Sequence, residues 1–178
     1  MSVRPVTRAT AALIEYLGNA DHGLNVALAA IRTDDALTTA LLPNAAAIID
    51  WTQQRERNIA YPAVEIQPVS VGRDEEANQR LYPVRLAVTA TIPSNTVQGP
   101  VDDLIAAGWR YVDAVVSCLQ RRTPKGEQGN TLANGGAGAG AGRIVRATVE
   151  TGRVLVDDEQ IGRVYAAVEI VVTVAEDY

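Results

Sequence analysis

Between Tyr82 and Ile92 the chain alternates strictly, and no other feature constrains its fold as much. Val84, Leu86, Val88, Ala90 and Ile92 point one way, and Arg85, Ala87, Thr89 and Thr91 point the other. That is the period-2 signature of a strand with one buried face. Near the end of the chain Val164, Ala166, Val168, Ile170, Val172 and Val174 share a face, with Arg163, Glu169 and Thr173 opposite. Residues Ile144–Val156 read as the partner strand, joined to it by a hairpin loop over Asp157–Gly162. A shorter strand holds Val64, Ile66, Val69 and Val71. Pro68 interrupts it and removes a ladder donor, which predicts an edge or a bulge.

A sheet buried on one face needs a cover. The segment after Gly99–Pro100 supplies the strongest one, because Val101, Leu104, Ile105, Gly108, Val112, Val115, Val116 and Leu119 fall on one helical stripe. Asp102 and Asp103 in the first turn, and Arg121 and Arg122 in the last, complement the helix dipole. Upstream, residues 8–18 and 24–32 read as two short helices broken at Gly18 and Gly23, and Ala36–Leu42 and Ala45–Trp51 read as further helical pieces. The order predicts an α+β domain: an antiparallel four-stranded sheet with one long helix and N-terminal helices packed on one face. One domain spans 1–178, with mobile arms at about 72–81 and 126–142. The first arm is charged (Arg73, Asp74, Glu75, Glu76, Arg80), and the second contains GNTLANGGAGAGAG. Ordering such a glycine run costs about 1 kcal/mol or more per residue and buries almost nothing in return.

Composition removes several function classes. The 178 residues carry a formal net charge of −5, which excludes a broadly basic surface that neutralises phosphates. It leaves room for DNA to pass without being gripped. A single cysteine, Cys118, excludes an internal disulfide and a cysteine-rich zinc site. A single histidine, His22, excludes a paired-histidine metal site and most triads within one chain. No apolar run approaches the ~20 residues that span a bilayer, and no signal peptide heads the sequence. The expectation is a soluble protein of a reducing compartment, with no cofactor, no metal and no membrane partner. There are no phenylalanines, two tryptophans and six tyrosines. The core is therefore built from Val, Leu, Ile and Ala, and the polar-tipped rings belong at borders and interfaces.

No motif carries reaction chemistry. The glycine run lacks the preceding strand and following helix of a dinucleotide fingerprint, and it lacks the Gly-Lys-Ser/Thr end of a P-loop. It reads as a linker. Acidic clusters at Asp34–Asp35, Asp74–Glu76, Asp102–Asp103 and Asp157–Glu159 fall in loops or at a helix start, without calcium-loop spacing. His22 beside Asp21 reads as a surface or capping residue in an inter-helix turn. Cys118 reads as a small packing residue on the flank of the long helix. Trp109 and Tyr111 flank the same stripe on opposite sides, as core borders or as contacts to a neighbouring subunit. The outward sheet face mixes Ala87, Tyr165, Ala167 and Val171 with Arg85, Thr89, Thr91, Glu169 and Thr173. It suits burial against another chain as well as it suits solvent.

In order and texture the chain resembles the tail terminator proteins of long-tailed bacteriophages. The segments TRATAALIEYL and GLNVALAAIR lead into YPAVEIQPVSV; a charged arm precedes LYPVRLAVTATI; the helix VDDLIAAGWRYVDAVVSCLQRR follows; and the chain closes with RVYAAVEIVVTVAEDY. The resemblance implies a structural virion protein of the tail neck, assembled in the host cytoplasm. It implies a ring, sixfold in most members, that caps the tail tube and ends its polymerisation. The ring docks the tail to the head connector or stopper protein, meets the sheath in a contractile tail, and leaves a channel through which DNA passes. No enzyme activity is implied. Contacts to neighbouring subunits or partners are then expected at Arg73, Asp74, Glu75, Glu76, Arg85, Trp109, Tyr111, Tyr165 and Glu169. Other readings of the same features are a stopper or head-completion protein, a small non-viral interaction domain, and a small enzyme using carboxylate chemistry.

Overall fold

The structure, a computed structural model, describes residues 4–52, 58–76, 79–120, 143–157 and 162–177. Among them are three α-helices and six strands: α1 (Pro5–Leu17), α2 (Leu24–Asp34), β1 (Ala47–Asp50), β2 (Ala63–Val71), β3 (Asp74–Glu76), β4 (Gln79–Pro93), α3 (Val101–Gln120), β5 (Arg143–Val156) and β6 (Arg163–Asp177). The chain is α+β, as the order of its patterns predicts.

The alternating stretches form the spine. β4 and β6 pair antiparallel from Gln79–Asp177 to Pro93–Arg163 without a register shift. β2 and β5 flank them, also antiparallel, and the path runs β1, β2, β4, β6, β5. The ladder of β2 shifts between Pro68 and Ser70, where the proline predicts an irregularity. β5 has two shifts, between Ile144 and Arg146 and between Val149 and Thr151, so Val145 and Glu150 are the extra residues.

The sheet departs from four antiparallel strands at two places. The segment Ala45–Trp51, predicted helical, contains β1, which runs parallel to β2 with Ile48 opposite Val64. The backbone of Ala45 is claimed by α2. Its N–H donates to Asn25 Oδ1 at 2.8 Å, and its carbonyl accepts from Asn25 Nδ2 at 3.1 Å. Next to it the Ala46 N–H donates to the Pro62 carbonyl. These bonds pull the chain extended, and tertiary context overrides helix propensity. Replacing Asn25 with alanine strips both bonds, and a loss of about 1–3 kcal/mol is expected in chemical denaturation. The second departure is the charged arm. Where the sequence predicts a solvated loop without packing partners, β3 pairs with β4 and the start of β4 pairs with the end of β6. The longer linker at 126–142, Arg121, Arg122, Asp158 and Glu159 lie outside the described residues.

All three helices lie on one face. The core joins Ala9, Leu13, Tyr16 and Leu17 of α1, Leu24 and Leu28 of α2, and Leu104, Ala107, Tyr111, Val115 and Cys118 of α3 to Val84, Leu86, Val88, Ile92, Val164, Val168, Ile170, Val172 and Val174 of the central strands. Each large aliphatic buried there contributes about 1.5–3 kcal/mol before conformational entropy is counted. The break predicted at Gly18 and Gly23 is present, and the Tyr16 hydroxyl of α1 donates to the Cys118 carbonyl of α3.

The buried face of α3 is rotated from the sequence stripe. Ala107, Tyr111, Ala114 and Cys118 are at most 0% exposed, whereas Val101 is 38% exposed and Trp109 48% exposed. The reason is lateral: α1 and α2 cover one flank of α3, so the apolar face widens on that side. Cys118 therefore belongs to the centre of the buried face, not to its flank. On the other flank α3 lies close against the sheet, where Gly108 faces Val154 and Val164 and Val112 sits over Gly152.

Candidate functional site

The predicted contact residues separate into three groups. The first is the arm. Arg73, Asp74, Glu75 and Glu76 are exposed at the far end of the β2–β3 edge. Glu75 accepts a hydrogen bond from Arg73, and Arg80 lies near both Glu75 and Glu176. Tyr82 donates to Glu176 at 3.0 Å, and that bond raises its phenol above the ordinary value. These ion pairs are well exposed, and pairs of that kind add little stability. Their effect is to gather charge at one end of the sheet.

The second group is the helix-free face. Its side chains lie outside the core cluster, because the alternation directs them away from the helices. Arg85, Tyr165 and Glu169 stand here, as predicted. Arg85 reaches across β6 to Glu150 on β5, with a 3.0 Å contact to Oε2. The middle of this face is made of small and short side chains. Ala63 is 5% exposed, and Thr91 and Ala167 are each 9% exposed. Tyr61 lies beside it, with the Arg163 guanidinium 5.8 Å from its ring centre.

The third group is α3. Trp109 projects from the flank that looks toward β5, together with Val101 and the half-buried Ile105 and Val116. Tyr111 is corrected: it is fully buried, and its hydroxyl donates to the Pro43 carbonyl at 2.8 Å. It presents no surface to a partner. Burial pushes its phenol well above the usual range. The other aromatic flank of the stripe is thus core, because α2 and the loop after it close over it.

The residues singled out for chemistry are placed apart. His22 is half-buried in the turn between α1 and α2. Its ring lies 5.0 Å from that of Tyr16, and its backbone N–H donates to Asn19 Oδ1. Cys118 is fully buried, so a thiol reagent is expected to leave the native protein untouched and to react once denaturant unfolds it, as a thiol titration with and without denaturant will read. Among the described residues no three His, Cys, Asp or Glu side chains gather as a metal site. No described helix is long and apolar enough to cross a membrane. An open polar hollow lies between Pro93, Ser94, Asn95, Asp157, Gly162 and Arg163.

Sequence reasoning placed an edge or a bulge at Pro68 but did not single out the side chains that the edges expose. Val69 and Val71 are 55% and 49% exposed beyond Pro68, and Leu155 is 50% exposed on β5. Arg146 and Arg153 are exposed on the same strand. Strand order decides which of these positions lie at an edge, and a hydrophobicity pattern does not carry that order. The chain matches no protein-family model and no curated protein.

Proposed function

We propose that this chain is a ring-forming structural subunit of the tail terminator type. Its ring caps a phage tail tube, stops tube polymerisation and docks the tail to the head connector or stopper protein. DNA passes through the channel without specific binding, and in a contractile tail the outer surface meets the last sheath ring. The observation that carries the reading is the one-sided cover. Every described helix packs on one face of the sheet, which leaves the opposite face and both ends of the strand order for contacts with other chains. A subunit that joins its neighbours in a closed ring needs two different surfaces on opposite flanks, and this architecture provides them. The work is done by surfaces and not by reactive groups.

The test is direct. Purified protein is imaged by negative stain alone and with isolated tail tubes. Rings in solution or on tube ends are expected, and tubes that lack the protein should overgrow their normal length. Tails made without heads separate the terminator from a stopper. A terminator is present on them, and a head-bound stopper is absent. A protein that stays monomeric and leaves tube ends bare would overturn the reading.

A further inference from the structure

β5 is a basic strand in an acidic chain. The protein carries a net charge of −5, yet the acid within this strand is Glu150, and Arg85 already pairs with it. Arg146 and Arg153 are exposed and form no ion pair among the described residues. β5 also has no neighbouring strand on its outer side among the described residues. Open edges are templates for pairing with another chain, and bulges blunt them. The bulges lie at Val145 and Glu150, whereas from Thr151–Glu169 to Val156–Val164 the ladder with β6 has no shift. The stretch Thr151–Val156 is therefore a regular edge.

The two faces of this stretch differ. Gly152, Val154 and Val156 pair with Val168, Ala166 and Val164, which belong to the core, so they share the helix side. Thr151, Arg153 and Leu155 stand on the helix-free side, where Leu155 is 50% exposed. A strand laid along this edge alternates in the same way, and its side chains meet those directly opposite at about 4.5–5.5 Å between Cβ atoms. Beside Arg153 an acidic side chain is favoured and a basic one is penalised.

On the helix side α3 forms a roof. A Cβ on Gly108 would touch both Val164 of β6 and Val154 of β5, whereas one on Gly152 of β5 would meet Val112 at 2.6 Å. Turning around the helix from Gly108 to Val112 therefore leads from β6 outward over β5. At 3.6 residues per turn the same rotation continues to Ile105, Val116 and Trp109, about 60–100° from Gly108. Trp109 is 48% exposed, and Ile105 and Val116 are half-buried. They overhang the space beside β5, and the half-buried Val154 and Val156 close it on the inner side. An apolar side chain that enters there removes apolar surface from water on both partners.

We propose that the outer edge of β5 receives an extended segment of another protein as an added strand. The segment alternates. Its acidic side chains stand beside Arg153 and, beyond the bulge, Arg146, and its apolar side chains lie beneath Ile105, Trp109 and Val116. Backbone hydrogen bonds to the edge supply affinity, and the two unlike faces select the sequence. Charge identifies the occupant. A second β5 is a poor one, because antiparallel self-pairing over Thr151–Val156 gathers the Arg153 side chains of both copies on one face. The inference goes beyond the ring reading and does not depend on it.

The experiment titrates the full-length protein into three fluorescein-labelled peptides and reads polarisation. One peptide alternates glutamate and valine, one alternates lysine and valine, and one holds the same glutamates and valines in two blocks. The alternating glutamate peptide is expected to bind at least about tenfold more tightly than either of the others. R146E/R153E should weaken it by about tenfold and strengthen the lysine peptide, a reversal that a merely unfolded variant does not produce. W109A, checked for native circular dichroism, should weaken the glutamate peptide by about threefold or more. Hydrogen exchange then locates the joint, because alternate amides of Thr151–Val156 should slow when the glutamate peptide is added. No binding, binding indifferent to the arginine reversal, or binding that leaves these amides unchanged overturns the proposal. Amides already slow in the dilute free subunit assign the edge to the chain itself, and amides that slow only as protein concentration rises assign it to a second copy; either result overturns it as well.

Discussion

Gly108→Val is expected to lower the stability of this protein by about 3 kcal/mol. α3 approaches the sheet at this residue. A Cβ there would lie 2.7 Å from Val164 Cγ1 and 3.0 Å from Val154 Cγ1. Val164 is fully buried and held in the long β4–β6 ladder, so it has no room to turn aside. The helix must lift, and lifting it loosens the packing of Val112 and Val115 as well. For a domain of this size the loss corresponds to a fall of about 6–12 °C in melting temperature. Gly108→Ala is expected to cost less, about 1–2 kcal/mol. Gly18→Ala serves as the control. Its nearest new neighbour is the Ile14 carbonyl at 3.1 Å, with no side chain in the way, and a small effect is expected. Thermal and urea denaturation of the three variants will rank them.

The second large effect belongs to Tyr111. It is among the largest fully buried side chains, and its truncation to alanine is expected to cost about 3–5 kcal/mol. Tyr111→Phe keeps the ring and removes only the bond to the Pro43 carbonyl, for an expected loss of about 1–2 kcal/mol. The phenol also makes stability depend on alkaline pH. Burial holds the folded-state value above the ordinary 10.0, with Arg32 opposing weakly. In the unfolded chain the group ionises near that ordinary value. The folded protein therefore retains a proton that the unfolded chain loses, and stability falls as pH rises above about 10. Below that value the contribution is complete. In Tyr111→Phe this alkaline decline should flatten, which urea midpoints measured between pH 8 and 11 will show. An unchanged slope would mean that Tyr111 ionises in place.

The spine of the fold was legible because alternation is a local property. The strands read from Val84 to Ile92 and from Val164 to Val174 are the central pair, and the helix opened by Gly99–Pro100 covers them. What escaped depends on distant partners. β1 hides in an alanine-rich segment, and distant partners make it extended: Asn25, twenty residues upstream, holds Ala45, the Pro62 carbonyl takes the Ala46 N–H, and the strand pairs with β2. β3 is three charged residues with no hydrophobic pattern, and it is a strand because β4 extends beside it. The same holds for the contact surfaces. Arg85, Tyr165 and Glu169 face outward because alternation puts them there. Tyr111 and Trp109 could not be told apart by spacing, since the flank of α3 that is covered depends on where α1 and α2 dock. Arg146, Val69 and Val71 became notable only when the strand order set β5 and the β2–β3 stretch at opposite ends of the sheet.

The absence of phenylalanine and the placement of the indoles have an optical consequence. Trp51 is 41% exposed and Trp109 48% exposed, so both emit from a wet environment in the lone subunit. Their fluorescence reports little when the aliphatic interior melts. Trp109, on the α3 flank above β5, is instead poised as a beacon whose emission moves to the blue when another surface shuts water out.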